Sequence, residues 1–246
     1  MGNIGWGWDD VLPYFKRSER YHGGADADHG ADGELRVERQ RLAWPILDAV
    51  AEAAGELGIP RSDDFNRGDN EGAGYFEVNQ KRGLRWNARR AFLDPARKRP
   101  NLRIVTGAEV MRLSFDGKRA TGVIFRQDGA AHHARARGEV VLSAGAIGTP
   151  KILELSGIGR AEILKPLGID MLQDSRGVGE NLSDHLQIRT IFRITDARTL
   201  NDWYASPLGR LRIGLDYALN RSGPLAMAPS QLGIFTRSSP DHETPN

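Results

Sequence analysis

Residues Gly145 to Gly159 read GAIGTPKILELSGIG, and their reading decides the fold. They follow an apolar run, Glu139-Val140-Val141-Leu142-Ser143, with the length and composition of a buried parallel strand. A glycine-rich turn then leads into a helical stretch, and α/β proteins place nucleotides at such strand-to-helix junctions. Thr149 and Pro150 predict where the helix opens, because threonine caps a helix N-terminus and proline suits its first turn. Gly157 and Gly159 predict where it closes.

Upstream, the hydrophobic period is two. Leu102–Thr106, Glu109–Phe115, Ala120–Arg126 and His132–Arg137 alternate or run apolar, with Asp116-Gly117 and Asp128-Gly129 between later pairs. Asp-Gly is a strong hairpin signal, since glycine supplies the positive φ that such turns need. The expectation is a β-meander feeding the strand at 139–143. Further out the period is helical: 9–20, then 44–57 with Pro45 in its first turn, a short helix at 161–167, and an amphipathic helix at 208–219. His185–Ile194 reads as a strand, and the polar, glycine-rich stretch His22–Gly33 as a mobile loop.

The 246 residues are 39% hydrophobic and 27% charged, with net charge +2 and no long apolar run, as in a globular domain without a membrane span. No cysteine is present, which excludes disulfides and thiolate metal sites. The basic cluster between Lys81 and Arg103 surrounds Ala88, Ala91, Phe92 and Leu93, so it reads as the solvated face of a helix rather than a nucleic-acid surface. There is no H-E-x-x-H, no phosphate loop and no G-x-S-x-G elbow. Asp63-Asp64 and Asp26-x-Asp28 lack calcium-loop spacing and read as solvated turns.

The 145–159 stretch resembles the second signature of the glucose–methanol–choline (GMC) family of FAD-dependent alcohol oxidoreductases. Gly145, Ala146, Thr149, Pro150, Ile152, Leu153, Ser156, Gly157, Ile158 and Gly159 fill that pattern in order. Weaker segments look like the same family in the same order. They are Trp6-Gly7-Trp8 with the run to Glu19, Arg82–Asn87, Arg99–Leu102, Gly177–His185, Ser222–Leu225 and Gly233–Phe235. The resemblance implies an α/β protein with α+β elements: an incomplete, Rossmann-like FAD-binding domain carrying the meander, plus part of a substrate-binding domain. The implied division is 1–85 as a bordering helical and loop segment, 86–185 as the second half of the FAD domain, and 186–246 as the start of a later substrate segment. The family's G-x-G-x-x-G turn and its C-terminal catalytic histidine region have no counterpart here, so the expectation is an internal piece of a longer enzyme.

The functional expectations also come from the resemblance. The implied cofactor is FAD and the implied substrate a small-molecule alcohol, oxidised by hydride transfer as in the family's choline dehydrogenase-like bacterial branch. The electron acceptor stays open, and the expected location is the cytoplasm. Val110 takes the position of a valine that meets adenine through its backbone; the plainer reading is an ordinary strand valine. Ser143, Ala144 and Gly145 are expected beside the ribose and adenine, where small residues let backbone approach; close packing of strand on helix would explain them equally. Gln231 stands where the family lines its active site, or is a plain loop residue. The competing reading of the whole is a noncatalytic binding module or an inactive truncated product.

Alcohol oxidation needs a base, and histidine suits the role. His22, His29, His132, His133 and His242 read as surface residues, and His185 as structural or supporting. None is assigned to catalysis.

Overall fold

The computed structural model describes residues 3–68 and 70–245. The chain divides into two compact units, Met1–Leu102 with Phe192–Asn246, and Arg103–Ile191.

In the first unit, helix Pro45–Glu56 starts at its proline, as expected, and turns Ala51 and Ala54 inward. These side chains are small, so the strand Gly72–Tyr75 comes close and Ala73 is 0% exposed. That strand pairs antiparallel with Leu232–Phe235, Gly74 facing Gly233, and Ile59 and Leu232 complete the cluster. Phe65, Phe76 and Phe235 form an aromatic trio beside it, with centroids 4.9–6.2 Å apart. Helix Trp8–Ser18 ends before the expected residue 20 because Glu19–Tyr21 leaves as a strand, parallel to Leu35–Val37. The expected helix at 208–219 is present as Pro207–Asn220, with Ser206 Oγ accepting the Gly209 N–H at 2.9 Å as a cap.

In the second unit, strands Glu109–Asp116, Arg119–Gln127 and Ala130–Arg135 form the expected antiparallel meander. Asp128 (φ 50°) and Gly129 (φ 80°) are both left-handed, the geometry of a tight hairpin turn. Helix Gly145–Glu154 packs on the first of these strands, and Leu113 of the strand and Ile152 of the helix are both buried. A short parallel pair, Ile158–Gly159 with Gln173–Asp174, completes the unit's paired strands among the described residues.

Three expected strands are not formed. Residues 102–106, 139–143 and 185–194 take no ladder partner among the described residues, and Val141 is 75% and Leu186 96% exposed. A strand is a property of a pair, and apolar alternation alone does not provide the second chain.

Candidate cofactor turn and a buried ionic cluster

The helix after the meander begins at Gly145, five residues earlier than Thr149 as cap and Pro150 as first helical residue led us to expect. Thr149 Oγ1 instead accepts the Ala144 N–H at 3.1 Å from inside the helix, drawing the turn back onto the first helical residues. Pro150 lies within the helix, where it cannot supply the N–H that the Ala146 carbonyl would accept. The helix ends at Glu154, and Gly157 turns the chain at φ 81°. A Cβ on Gly157 would lie 2.2 Å from the Asp170 carbonyl oxygen, so this glycine is required by both conformation and space.

Gly145 is different. Its φ is 82°, yet a Cβ there would meet nothing within 4 Å. Among the described residues nothing packs against this position. Ser143, Ala144 and Gly145 are exposed and contiguous, presenting bare backbone at the positive end of a ten-residue helix. Val110 is half-buried opposite Phe125 on the strand against which this helix packs, so these four positions share one unit. Gln231 lies in the other unit, just before strand Leu232–Phe235. Its carbonyl accepts from Phe76 N–H (2.9 Å) and Gln40 Nε2 (2.8 Å), while its side-chain oxygen is buried without a protein partner.

The first unit holds a cluster that the sequence did not reveal. His29 is 2% exposed, not a surface residue, and its loop is pinned rather than loose. Nδ1 lies 2.9 Å from Glu19 Oε2 and Nε2 lies 2.8 Å from Asp64 Oδ2. Tyr21 stacks on the imidazole, with centroids 3.9 Å apart, and donates its hydroxyl to Glu77 at 3.0 Å. His22 meets the same Glu77 oxygen. Arg67 binds both Asp64 (2.9 Å) and Asp26 (2.8 Å).

The expected solvated turns are in fact structural. Asp26 accepts the backbone N–H groups of Asp28 and His29, and Asp64 is almost wholly enclosed. Burial opposes charge on His29, but hydrogen bonds to Glu19 and Asp64 outweigh it and hold its pKa above 6.5. Burial and the bond to Glu77 push the Tyr21 phenol up to about 12, so it stays a donor. The sequence signal that could have found this turn is Asp26-x-Asp28-His29-Gly30, an aspartate positioned to bond amides two and three residues on.

The remaining histidines differ from His29. His132 and His133 lie on an exposed strand, His133 bonding Ser114 Oγ at 2.9 Å, and the His185 side chain is 92% exposed. Among the described residues, no helix is long and apolar enough to cross a membrane.

The family model for GMC oxidoreductases matches residues 1–187. Human mitochondrial choline dehydrogenase is 40% identical over 240 residues, covering 98% of this chain and 40% of that protein. The oxygen-dependent choline dehydrogenase of Brucella ovis is 39% identical over 245 residues, covering 100% of this chain and 44% of the relative. The chain thus spans about two-fifths of the length of these relatives. Among solved structures, an FAD-dependent oxidoreductase from Chaetomium thermophilum superposes with TM-score 0.84 at 27% identity, covering 96% of this chain and 44% of that one. A formate oxidase from Aspergillus oryzae superposes with TM-score 0.82 at 28% identity, covering 96% and 42%. The α/β architecture, the glycine-rich turn and these matches make the chain a member of the GMC oxidoreductases, a family of flavoproteins whose cofactor is FAD.

Proposed function

We propose that this chain contributes the adenine side of an FAD site to a flavoenzyme that oxidises a small alcohol, of the choline class, at its CH–OH carbon. The observation that supports this reading is the open turn Ser143-Ala144-Gly145, left-handed at Gly145 and with no neighbour among the described residues within 4 Å of where a Cβ would stand. Small exposed residues there admit a flat group against the backbone, and Val110 on the adjacent strand supplies a second main-chain contact. FAD, when bound, supplies the hydride acceptor. The residues of this chain bind and orient its nucleotide end, and none of them is assigned to take the substrate proton. Gln231 is proposed to face substrate, since its amide oxygen is buried and unpaired by protein. The proposed arrangement also keeps residues 1–85 as a border, 86–185 as FAD domain and 186–246 as substrate segment.

The test is flavin binding and turnover. FAD titration followed by quenching of flavin fluorescence should show saturable binding, with ADP competing for the adenine end. Gly145→Val, checked by circular dichroism for retained secondary structure, should abolish competition by ADP. Unchanged ADP binding in that variant would remove the turn from the site. Absence of choline-dependent reduction of an artificial electron acceptor by an FAD-loaded enzyme of the relatives' full length that carries this chain would remove the substrate assignment. Unchanged substrate preference after Gln231→Ala in that full-length enzyme would remove Gln231 from the pocket.

A further inference from the structure

The carboxylates on either side of His29 can only accept hydrogen bonds when ionised, and each meets a different ring nitrogen. A neutral imidazole has one N–H and would turn a lone pair toward one of them. The geometry therefore specifies the doubly protonated ring.

We propose that the Glu19–His29–Asp64 triad is a pH-operated latch: doubly protonated His29 fastens the 22–33 loop to strand 19–21 and segment 61–67, and loss of one ring proton as pH rises releases it.

Every element packed around the ring contributes charge. Strand 19–21 supplies Glu19 and the Tyr21 ring; the loop supplies Asp26, whose carboxylate binds the His29 and Asp28 amides. The 61–67 segment supplies Asp64 and Arg67, and strand 72–75 leads into Glu77, bound by Tyr21 and His22. Helix 8–18 reaches over with Lys16 Nζ, which donates to the Asp26 and Ala27 carbonyls. Four carboxylates thus face the cluster, and the Tyr21 ring stacks on the imidazole. A histidine whose pKa is raised on folding contributes fully below 6.5, and its contribution is lost as pH rises through the higher folded value. The latch is therefore fastened below 6.5 and opens as pH rises through the folded value.

The loop is closed over its support in a way that depends on the latch. Gly30 N–H donates to the same Glu19 oxygen that holds His29 (3.0 Å), and its carbonyl accepts the Tyr21 N–H (2.8 Å). A Cβ on Gly30 would fall 1.8 Å from the Lys16 carbonyl oxygen, so backbone lies directly on backbone. His29, Gly30, Ala31 and Asp32 also line, together with Phe92 and Arg99, a depression of about 1000 Å³. Release of the latch reshapes that wall.

Amide hydrogen exchange read by mass spectrometry on the full chain tests this, from about pH 6 to about pH 10 with correction for intrinsic exchange. Protection of 22–33 should fall about tenfold to hundredfold as pH rises across this range, the equilibrium worth of one hydrogen bond to a charged group, while the 119–135 meander stays unchanged. His29→Gln should leave the loop unprotected at every pH. Glu19→Gln keeps one ionised carboxylate and should move the step to lower pH, which also covers the case in which His29→Gln fails to fold. Equal loop protection at both ends of the range, or a step unmoved in Glu19→Gln, would overturn the latch.

Discussion

The backbone N–H of Leu113 donates to Ser156 Oγ across 2.8 Å, and the same hydroxyl donates to the Ile152 carbonyl at 2.5 Å. Strand 109–116 is an edge of the meander, so its outward amides need partners from elsewhere. The serine of the glycine-rich stretch supplies one, and thereby fixes the helix that carries Gly145 to the strand that carries Val110. Ser156→Ala leaves the N–H of Leu113, which is 6% exposed, without its partner, and should cost about 1–3 kcal/mol. The urea midpoint should fall at unchanged slope, and Ser156→Thr, which keeps the hydroxyl, should recover part of the loss. A midpoint equal to wild type in Ser156→Ala would show that the bond carries no weight.

Gly145 and Gly157 have nearly the same φ, but different surroundings. Gly145→Ala meets only the conformational penalty of a left-handed residue, about 1–2 kcal/mol. Gly157→Ala adds a collision with the Asp170 carbonyl and must displace the chain leading into Leu172. Thermal unfolding should therefore show a clearly larger loss for Gly157→Ala, whereas only Gly145 variants should weaken nucleotide binding at matched stability. Equal thermal shifts would indicate that the Asp170 segment gives way without resistance.

The local part of this structure was readable in the sequence, and the nonlocal part was not. Asp128-Gly129 announces its hairpin because the turn is made by those two residues alone, and Pro45 announces its helix for the same reason. The run Val140-Val141-Leu142 has the composition of a central strand but no ladder partner among the described residues, so the pattern that identified it is not expressed. Thr149 misled because its hydroxyl reaches back to Ala144 instead of capping the residues ahead of it. His29 was unreadable as a core residue because its partners come from positions 19 and 64, and only folding makes that triad. The open character of the Gly145 turn likewise needed coordinates. A glycine required for its φ and one required for close packing look alike in a sequence.

Asp64 sets the acid limit of the same cluster. Burial works against its charge, but the Asn66 N–H, His29 and Arg67 outweigh this and hold its carboxyl below the ordinary 3.8. Its stabilisation is present above 3.8 and is lost as pH falls through the lower folded value. Asp64→Asn should be less stable than wild type at neutral pH, with the gap narrowing as the solution is acidified below about pH 4. Urea midpoints measured at several pH values would read this directly. A gap that stays constant into acid would mean that Asp64 titrates alike in the folded and unfolded chain.

Gly233 faces Gly74 across the strand pair of the first unit, and a Cβ on Gly233 would lie 2.4 Å from the Phe76 ring. Phe76 cannot move independently, because its ring is set against both Phe65 and Phe235. Gly233→Ala should therefore act as overpacking and cost about 1–3 kcal/mol. Phe76→Leu should also destabilise, through loss of aromatic area. Leucine nevertheless withdraws the ring atoms that collide with the new methyl group, so the double variant should be less damaged than the sum of the single changes. A double-mutant cycle in urea should show coupling of about 0.5–3 kcal/mol in the compensating direction. Strict additivity would place the strain of Gly233→Ala in the backbone of the Gly74–Gly233 pair instead of in the aromatic trio.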